Sequence, residues 1–197
     1  MQKMNKRFRG FLPVVIDIET GGLNYKQDAI LEIAMVILNF KENILSIDSI
    51  YHYHVTPSKK TNISKNAINC NKIKPYHPFR LDMNEKLVLK EIYSKIINLI
   101  QNENCLKAVL VGHNAWFDLS FLLEANKRNK ISNMPFHNFT VFDTATLGGV
   151  FYGQTVLSQA LNSAKIKFND KKAHSALYDA IKTAQLFCKV INKLSYN

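Results

Sequence analysis

FLPVVIDIE, residues 11–19, is an apolar, β-branched run of the kind that forms an interior strand, yet it ends on two acids, Asp17 and Glu19. Strand side chains alternate faces, so residues two apart point the same way and both carboxylates leave one face together. Unpaired buried carboxylates are costly, and two like charges repel as well. A basic partner, a shared proton or a metal ion relieves such a pair. No Lys or Arg lies close by in the sequence, so a hard divalent cation is the leading reading. The competing one has one acid capping the following turn and the other in water.

With 197 residues and 47% apolar content, the chain can bury a full core and is most simply one domain, 1–197, with its core at about 10–193. Cys70, Cys105 and Cys188 are scattered and form no CxxC pair. That argues against a disulfide framework or a structural zinc site and fits a reducing cytoplasm. The basic start MQKMNKRFRG precedes an apolar stretch that ends at Asp17 without a small-residue cleavage site. Neither a secretory leader nor a membrane span is expected. The formal net charge of +11, 26 basic against 15 acidic residues, attracts polyanions such as nucleic acid. Only four of the basic residues are arginines (Arg7, Arg9, Arg80, Arg128), and Asn and Ile abound, so an A/T-rich coding bias accounts for the charge equally well. The crowding of Arg7 and Arg9 before the first strand is the more pointed observation.

No repeat or Gly/Ser/Pro-rich linker divides the chain. Residues 12–18, about 30–38 (ILEIAMVIL) and about 47–55 (IDSIYHYHV) read as three successive strands, the third alternating as a partly exposed strand does. A short helix is expected near 63–69 and a longer amphipathic one at about 84–101. Strands near 107–111 and 139–142 then alternate with helices near 115–128, 144–150, 155–164 and about 175–194. Three strands followed by alternating strands and helices make an α/β sandwich with a mixed sheet. Asp17 and Glu19 fall at the carboxyl end of the first strand, where open α/β sheets hold their ligands.

Downstream, HNAWFD (113–118) places Asp118 in the first turn of a helix, where an acid either caps against the dipole or serves a site. AHSALYDA (173–180) sets His174 five residues before Asp179, about 500° of helix or roughly 140° between faces. Ser175 fits as the N-cap, leaving His174 on the preceding loop and Asp179 in the first turns. Taken singly, His174 reads as a surface or packed histidine. Together, Asp17, Glu19, Asp118 and Asp179 supply enough carboxylates for two Mg²⁺ ions about 3.5–4 Å apart, the arrangement that hydrolyses phosphodiesters. Histidine, which exchanges protons near neutral pH, completes the set as general base. No GxxxxGK[ST] loop, GxSxG elbow or HExxH helix offers a competing chemistry.

The order DxE, HNxxFD, HxxxxD resembles the DEDDh 3′–5′ exonucleases, whose fold is ribonuclease H-like. Within them the chain is most similar to the bacterial ribonuclease T family. RFRGFLPVVIDIETGG (7–22), HYHVTP (52–57), HNAWFD (113–118), PFHNFTVFDTATLGG (135–149), GQTVLSQA (153–160) and AHSALYDAIKTAQLFC (173–188) carry the resemblance, which runs from about residue 7 to 192. It implies a ribonuclease H-like mixed five-stranded sheet flanked by helices. It also implies Mg²⁺, with Mn²⁺ as a substitute, on Asp17, Glu19, Asp118 and Asp179, and His174 deprotonating the attacking water.

The implied reaction removes 5′-monophosphates from the 3′ ends of tRNA and other stable RNAs, with single-stranded DNA ends as a further substrate. The family is homodimeric, and basic residues of one subunit hold RNA entering the other's site. Arg7 and Arg9 match two of those positions and Lys107 replaces an arginine at a third, whereas Gln101 and Ser132 stand where the family is basic. Phe117 and Phe139 match rings that wedge against terminal bases, with core packing as their alternative. Leu23 and Cys70 replace two further phenylalanines, and Asn66 a base-sensing glutamate. Trp116 and Phe142 are expected to pack, and Asp143 to order a turn. The rivals are a proofreading DNA exonuclease subunit, although no polymerase-binding tail follows residue 197, and an inactive nucleic-acid-binding relative.

Overall fold

The computed structural model describes residues 4–194; the first three and last three residues of the expected domain lie outside the described residues. After a short helix, α1 (Met4–Arg7), the chain forms three long strands, β1 (Phe11–Thr20), β2 (Ile30–Lys41) and β3 (Ile44–Thr56). Helix α2 (Lys65–Asn71), strand β4 (Met83–Asn84), helix α3 (Glu85–Asn102) and strand β5 (Lys107–Gly112) follow. Then come α4 (Trp116–Asn129), β6 (Phe136–Asp143), α5 (Thr144–Tyr152), α6 (Leu157–Ser163), a 3₁₀ turn (Asp170–Lys172) and α7 (Ala176–Leu194).

The sheet order is β4-β3-β2-β1-β5-β6. β1, β2 and β3 pair antiparallel as a meander, while β5 joins β1, and β6 joins β5, in parallel. The five expected strands are therefore present, and the two-residue β4 adds a sixth at the edge, parallel to β3. Consecutive residues Val14, Val15 and Ile16 of β1 are fully buried, so both faces of the central strand are covered. That is why the interior strands read as continuous apolar runs rather than as alternations.

Helix α7 packs across β1, β2 and β3. It does so through Ala176, Ala180 and Ala184, buried at every fourth position, whose small side chains let helix and sheet approach closely. Phe187, lower on the same helix, stacks with Phe8 and meets Phe142 at 5.5 Å. Phe142 thus packs as expected. Trp116 does not: it is 52% exposed, because Ala115, Leu119 and Leu122 take the inward face of α4.

Candidate active site

The site forms where β1 outruns its neighbour. Parallel pairing of β1 with β5 ends at Val15–Val111, and β5 stops at Gly112. The Ile18 N–H, between the two acids of β1, is left without a sheet partner on that side. Asp118 accepts it through Oδ1 at 3.1 Å, which fixes this carboxylate between Asp17 and Glu19. Gly112 permits the approach: a Cβ there would lie 3.0 Å from the Ala115 Cα and 3.2 Å from Asp118 Oδ2. A register shift between Glu19 and Thr20 marks the same end of the strand, as bulges beside active sites commonly do.

Helix α4 begins on Ala115, which has no capping side chain. Its cap comes from the neighbouring strand. Asp143 Oδ1 accepts the Asn114 N–H at 2.8 Å and the Ala115 N–H at 3.4 Å, while the same carboxylate caps α5 at Ala145 and Thr146. Asp143 orders the HNAWFD turn rather than joining the acidic cluster, and these bonds hold its carboxyl below the ordinary range against the effect of burial.

Asp179 stands in the first turn of α7, its own N–H bonded to the Ser175 carbonyl at 2.9 Å. Asp179 Oδ2 accepts the N–H of His174, whose backbone is left-handed (φ 62°). Asp179 Oδ1 is buried and unpartnered. Glu19, His174 and Asp179 each place a ligand atom within 4.8 Å of the others, with the His174 ring open to solvent. His174 thus sits on the loop before α7 and Asp179 in its first turn, as the sequence leads one to expect.

The electrostatics follow from that crowding. Burial, and then the charges of Asp118, Asp179, Glu19 and Glu32, push the Asp17 carboxyl well above the ordinary carboxylate range. Burial with Asp179 and Glu32 raises Glu19 to about 7. Asp118 and Asp179 are likewise raised, by burial first, against the stabilising N–H bonds they accept. Four carboxylates that disfavour each other's ionisation, one with an orphaned oxygen, fit a hard divalent cation. The oxygen-only donor set of these acids suits Mg²⁺ or Mn²⁺ chemistry.

Two clefts meet at this point. One, about 520 Å³, is lined by Asp17, Glu19, Asp118, Asp179, His174 and Phe117. The second, about 500 Å³, brings Leu23, Asn66, Cys70 and Phe117 together beside Glu19 and His174. Four of the five expected base-contacting residues therefore share one pocket. Leu23 is 85% exposed at its rim, and Phe117 packs on Phe121 at 4.9 Å while still facing both clefts. Phe139 lies apart on β6, exposed and outside the lining of either cleft.

Sequence reading missed several participants. Glu32 pairs with Glu19 across β1–β2 and with His54 across β2–β3, so all three share one face. Its carboxylate approaches His54 Nδ1 at 3.0 Å and His52 Nε2 at 3.4 Å. Those imidazoles, with Arg80, outweigh burial and hold it below the ordinary range. This trio also has metal-ligand spacing, but the Arg80 charge already answers Glu32 and opposes a cation. Only the register of three strands could have revealed it. Asn71, whose side chain donates to the Thr20 carbonyl at 3.1 Å and bonds Glu19, was equally invisible. His113, bonded to Thr144 at 3.0 Å and to the Thr155 carbonyl at 2.8 Å, ties the cleft wall to the α5–α6 loop.

The sequence pattern of an exonuclease family matches residues 14–187. The chain belongs to that family. It is 51% identical over 191 residues to ribonuclease T of Wigglesworthia glossinidia brevipalpis, covering 96% of this chain and 89% of that one. Against ribonuclease T of Vibrio parahaemolyticus (serotype O3:K6, strain RIMD 2210633) it is 47% identical over 192 residues, covering 96% and 90%. The nuclease domain of the DEDDh exonuclease 3′hExo, solved with rAMP, superposes with a TM-score of 0.72 at 20% identity, covering 92% of each chain, and shares the fold. Membership makes this chain a nuclease, an enzyme that hydrolyses phosphodiester bonds from a chain end. None of its described helices is long and apolar enough to cross a membrane.

Proposed function

We propose that this exonuclease is a single-domain cytoplasmic exoribonuclease that trims the 3′ ends of tRNA and other stable RNAs, releasing nucleoside 5′-monophosphates. The observation that carries the reading is the convergence of Asp17, Glu19, Asp118 and Asp179, from three separate chain segments, beside an exposed histidine in an open cleft. Two Mg²⁺ ions, or Mn²⁺ in their place, held by these four acids would supply water activation on one side of the phosphodiester and charge stabilisation at the departing oxygen. Each protein group has its own task. Asp118 is locked to the β1 backbone and Asp179 to the His174 N–H, so the acids are aimed before substrate arrives. The solvent-facing ring of His174 takes the proton of the attacking water. Phe117 and Leu23 offer apolar surface to the terminal bases, and Asn66 and Cys70 line the same pocket. Single-stranded DNA ends fit the same pocket.

The geometry also supports a homodimer. Arg7 and Arg9 precede β1, and Lys107 pairs with Phe11 at its start. The six steps from Phe11 to Asp17 span ~20 Å of strand, so this basic strip lies at the far end of β1 from its own acids. Such a strip serves a second subunit's substrate better than its own.

Incubating the protein and Mg²⁺ with a 3′-extended tRNA, alongside a mismatched primer–template DNA, tests the proposal. Stepwise loss of 5′-monophosphates from the RNA, faster than from the DNA, is expected. Preference for the DNA mismatch would favour a proofreading enzyme, and binding without release an inactive relative.

A further inference from the structure

The proposed reaction leaves most of the +11 charge unassigned. A large share of it lies along one route out of the catalytic cleft. Phe168 and Asp170, in the cleft wall, also line an adjoining depression of about 640 Å³ with Lys167, Lys171, Lys172, Tyr178 and Lys182. Lys167 and Lys182 in turn border a groove of about 750 Å³, whose remaining lysines are Lys165, Lys189 and Lys193. The three hollows are thus continuous through shared residues.

Asp170 is, among the described residues, the one acid lining the two outer parts. Among the described residues, none of the seven lysines has an acidic side chain within 4.0 Å. Lys182, Lys189 and Lys193 fall on one face of α7, at intervals of seven and four residues, and extend ~16 Å along its axis. The ring of Tyr178 backs Lys182 at 5.4 Å, and that of Tyr152 backs Lys193 at 4.9 Å. Both rings limit the wandering of long side chains.

A coding bias toward lysine raises the total but does not sort acids away from one groove that opens into the catalytic cleft. A row of cations ~16 Å long with no acid against it matches successive phosphates of a polynucleotide better than a compact anion. We infer that this lysine groove is an RNA-backbone track that holds, within the same subunit, the strand upstream of the 3′ end occupying the cleft. It shares no residue with the Arg7, Arg9 and Lys107 strip at the start of β1. The inference rests on the proposed exoribonuclease function.

The test uses full-length protein in chelator, so that nothing is cleaved, and compares wild type with K165Q/K167Q/K189Q/K193Q. Binding of a trinucleotide and of a long single-stranded RNA is followed against salt. For the long RNA, the slope of log affinity against log salt should shrink by about 0.7 for every phosphate that the variant no longer neutralises, with trinucleotide binding unchanged. An unchanged slope for the long RNA overturns the track, as does an equal weakening for both ligands, which would reflect the overall field alone. Loss of binding to anionic lipid vesicles with the RNA slope intact would assign the groove to a membrane surface instead. K165Q/K193Q, two exposed positions, serves should the quadruple variant not fold. Wild-type cleavage of the trinucleotide in Mg²⁺ is scored separately: its absence defeats the enzymatic reading and leaves the binding result to decide the track.

Discussion

Ile18 separates the two acids of β1, and its N–H reaches Asp118 because β5 has already turned away. One backbone group thus draws a residue 100 positions distant into line with Asp17 and Glu19. Without a cation this alignment is unfavourable to ionisation, and the sign is calculable. Glu19 has its folded pKa raised from about 4.5 to about 7 by burial, Asp179 and Glu32. A raised carboxyl contributes stability below about 4.5 that disappears as pH climbs through about 7. In chelator, the melting temperature should therefore fall across that interval, and excess Mg²⁺ should flatten the fall by binding the ionised form. Identical profiles with and without Mg²⁺ in thermal unfolding would contradict it. At the pocket rim, Leu23→Phe should tighten short single-stranded 3′ ends, since stacking is worth about 1–3 kcal/mol per base. Equilibrium binding of a trinucleotide in chelator reads this directly, and unchanged affinity would remove Leu23 from the base contacts.

Among the elements, β1, β2 and α7 were the most legible from sequence, because strands buried on both faces leave unbroken apolar runs and a helix buried on one face leaves apolar residues at helical spacing. β4 was not, since two residues pair only because tertiary structure lays them beside β3. The exposure of Trp116 misled for a related reason: an aromatic pair at the start of a helix does not say which ring turns inward. The DxE, HNxxFD and HxxxxD segments announced the acids, and the register of Glu32 with His54 left no trace in any single segment. Asp143 shows how one element depends on another, capping α5 while supplying the bonds that α4 lacks. Asp143→Ala should cost about 1–2 kcal/mol in denaturant unfolding. It should also lower kcat more than it raises KM, by loosening Asp118. A variant of normal stability and turnover would dismiss that role.

Across the whole molecule, basic charge gathers in two distinct groups of residues. The lysine groove runs from the cleft along α7, whereas Arg7, Arg9 and Lys107 stand at the start of β1, ~20 Å from its acids. Arg7→Ala with Arg9→Ala should weaken long-RNA binding and reduce its salt slope by about 0.7 for each phosphate left without its arginine. If these arginines act on the other subunit's substrate, mixing this variant with a cleavage-dead wild-type-arginine chain should restore activity to the mixture. An unaltered salt slope would show that neither arginine meets phosphate.

All of this depends on acids from β1, α4 and α7 sharing the same ions. The direct measurement is a calorimetric Mn²⁺ titration of the wild type and of Asp17→Asn, Asp118→Asn and Asp179→Asn. Each substitution, though on a different element, should weaken the same binding event by about tenfold or more. Any one variant that titrates like the wild type would contradict the shared site.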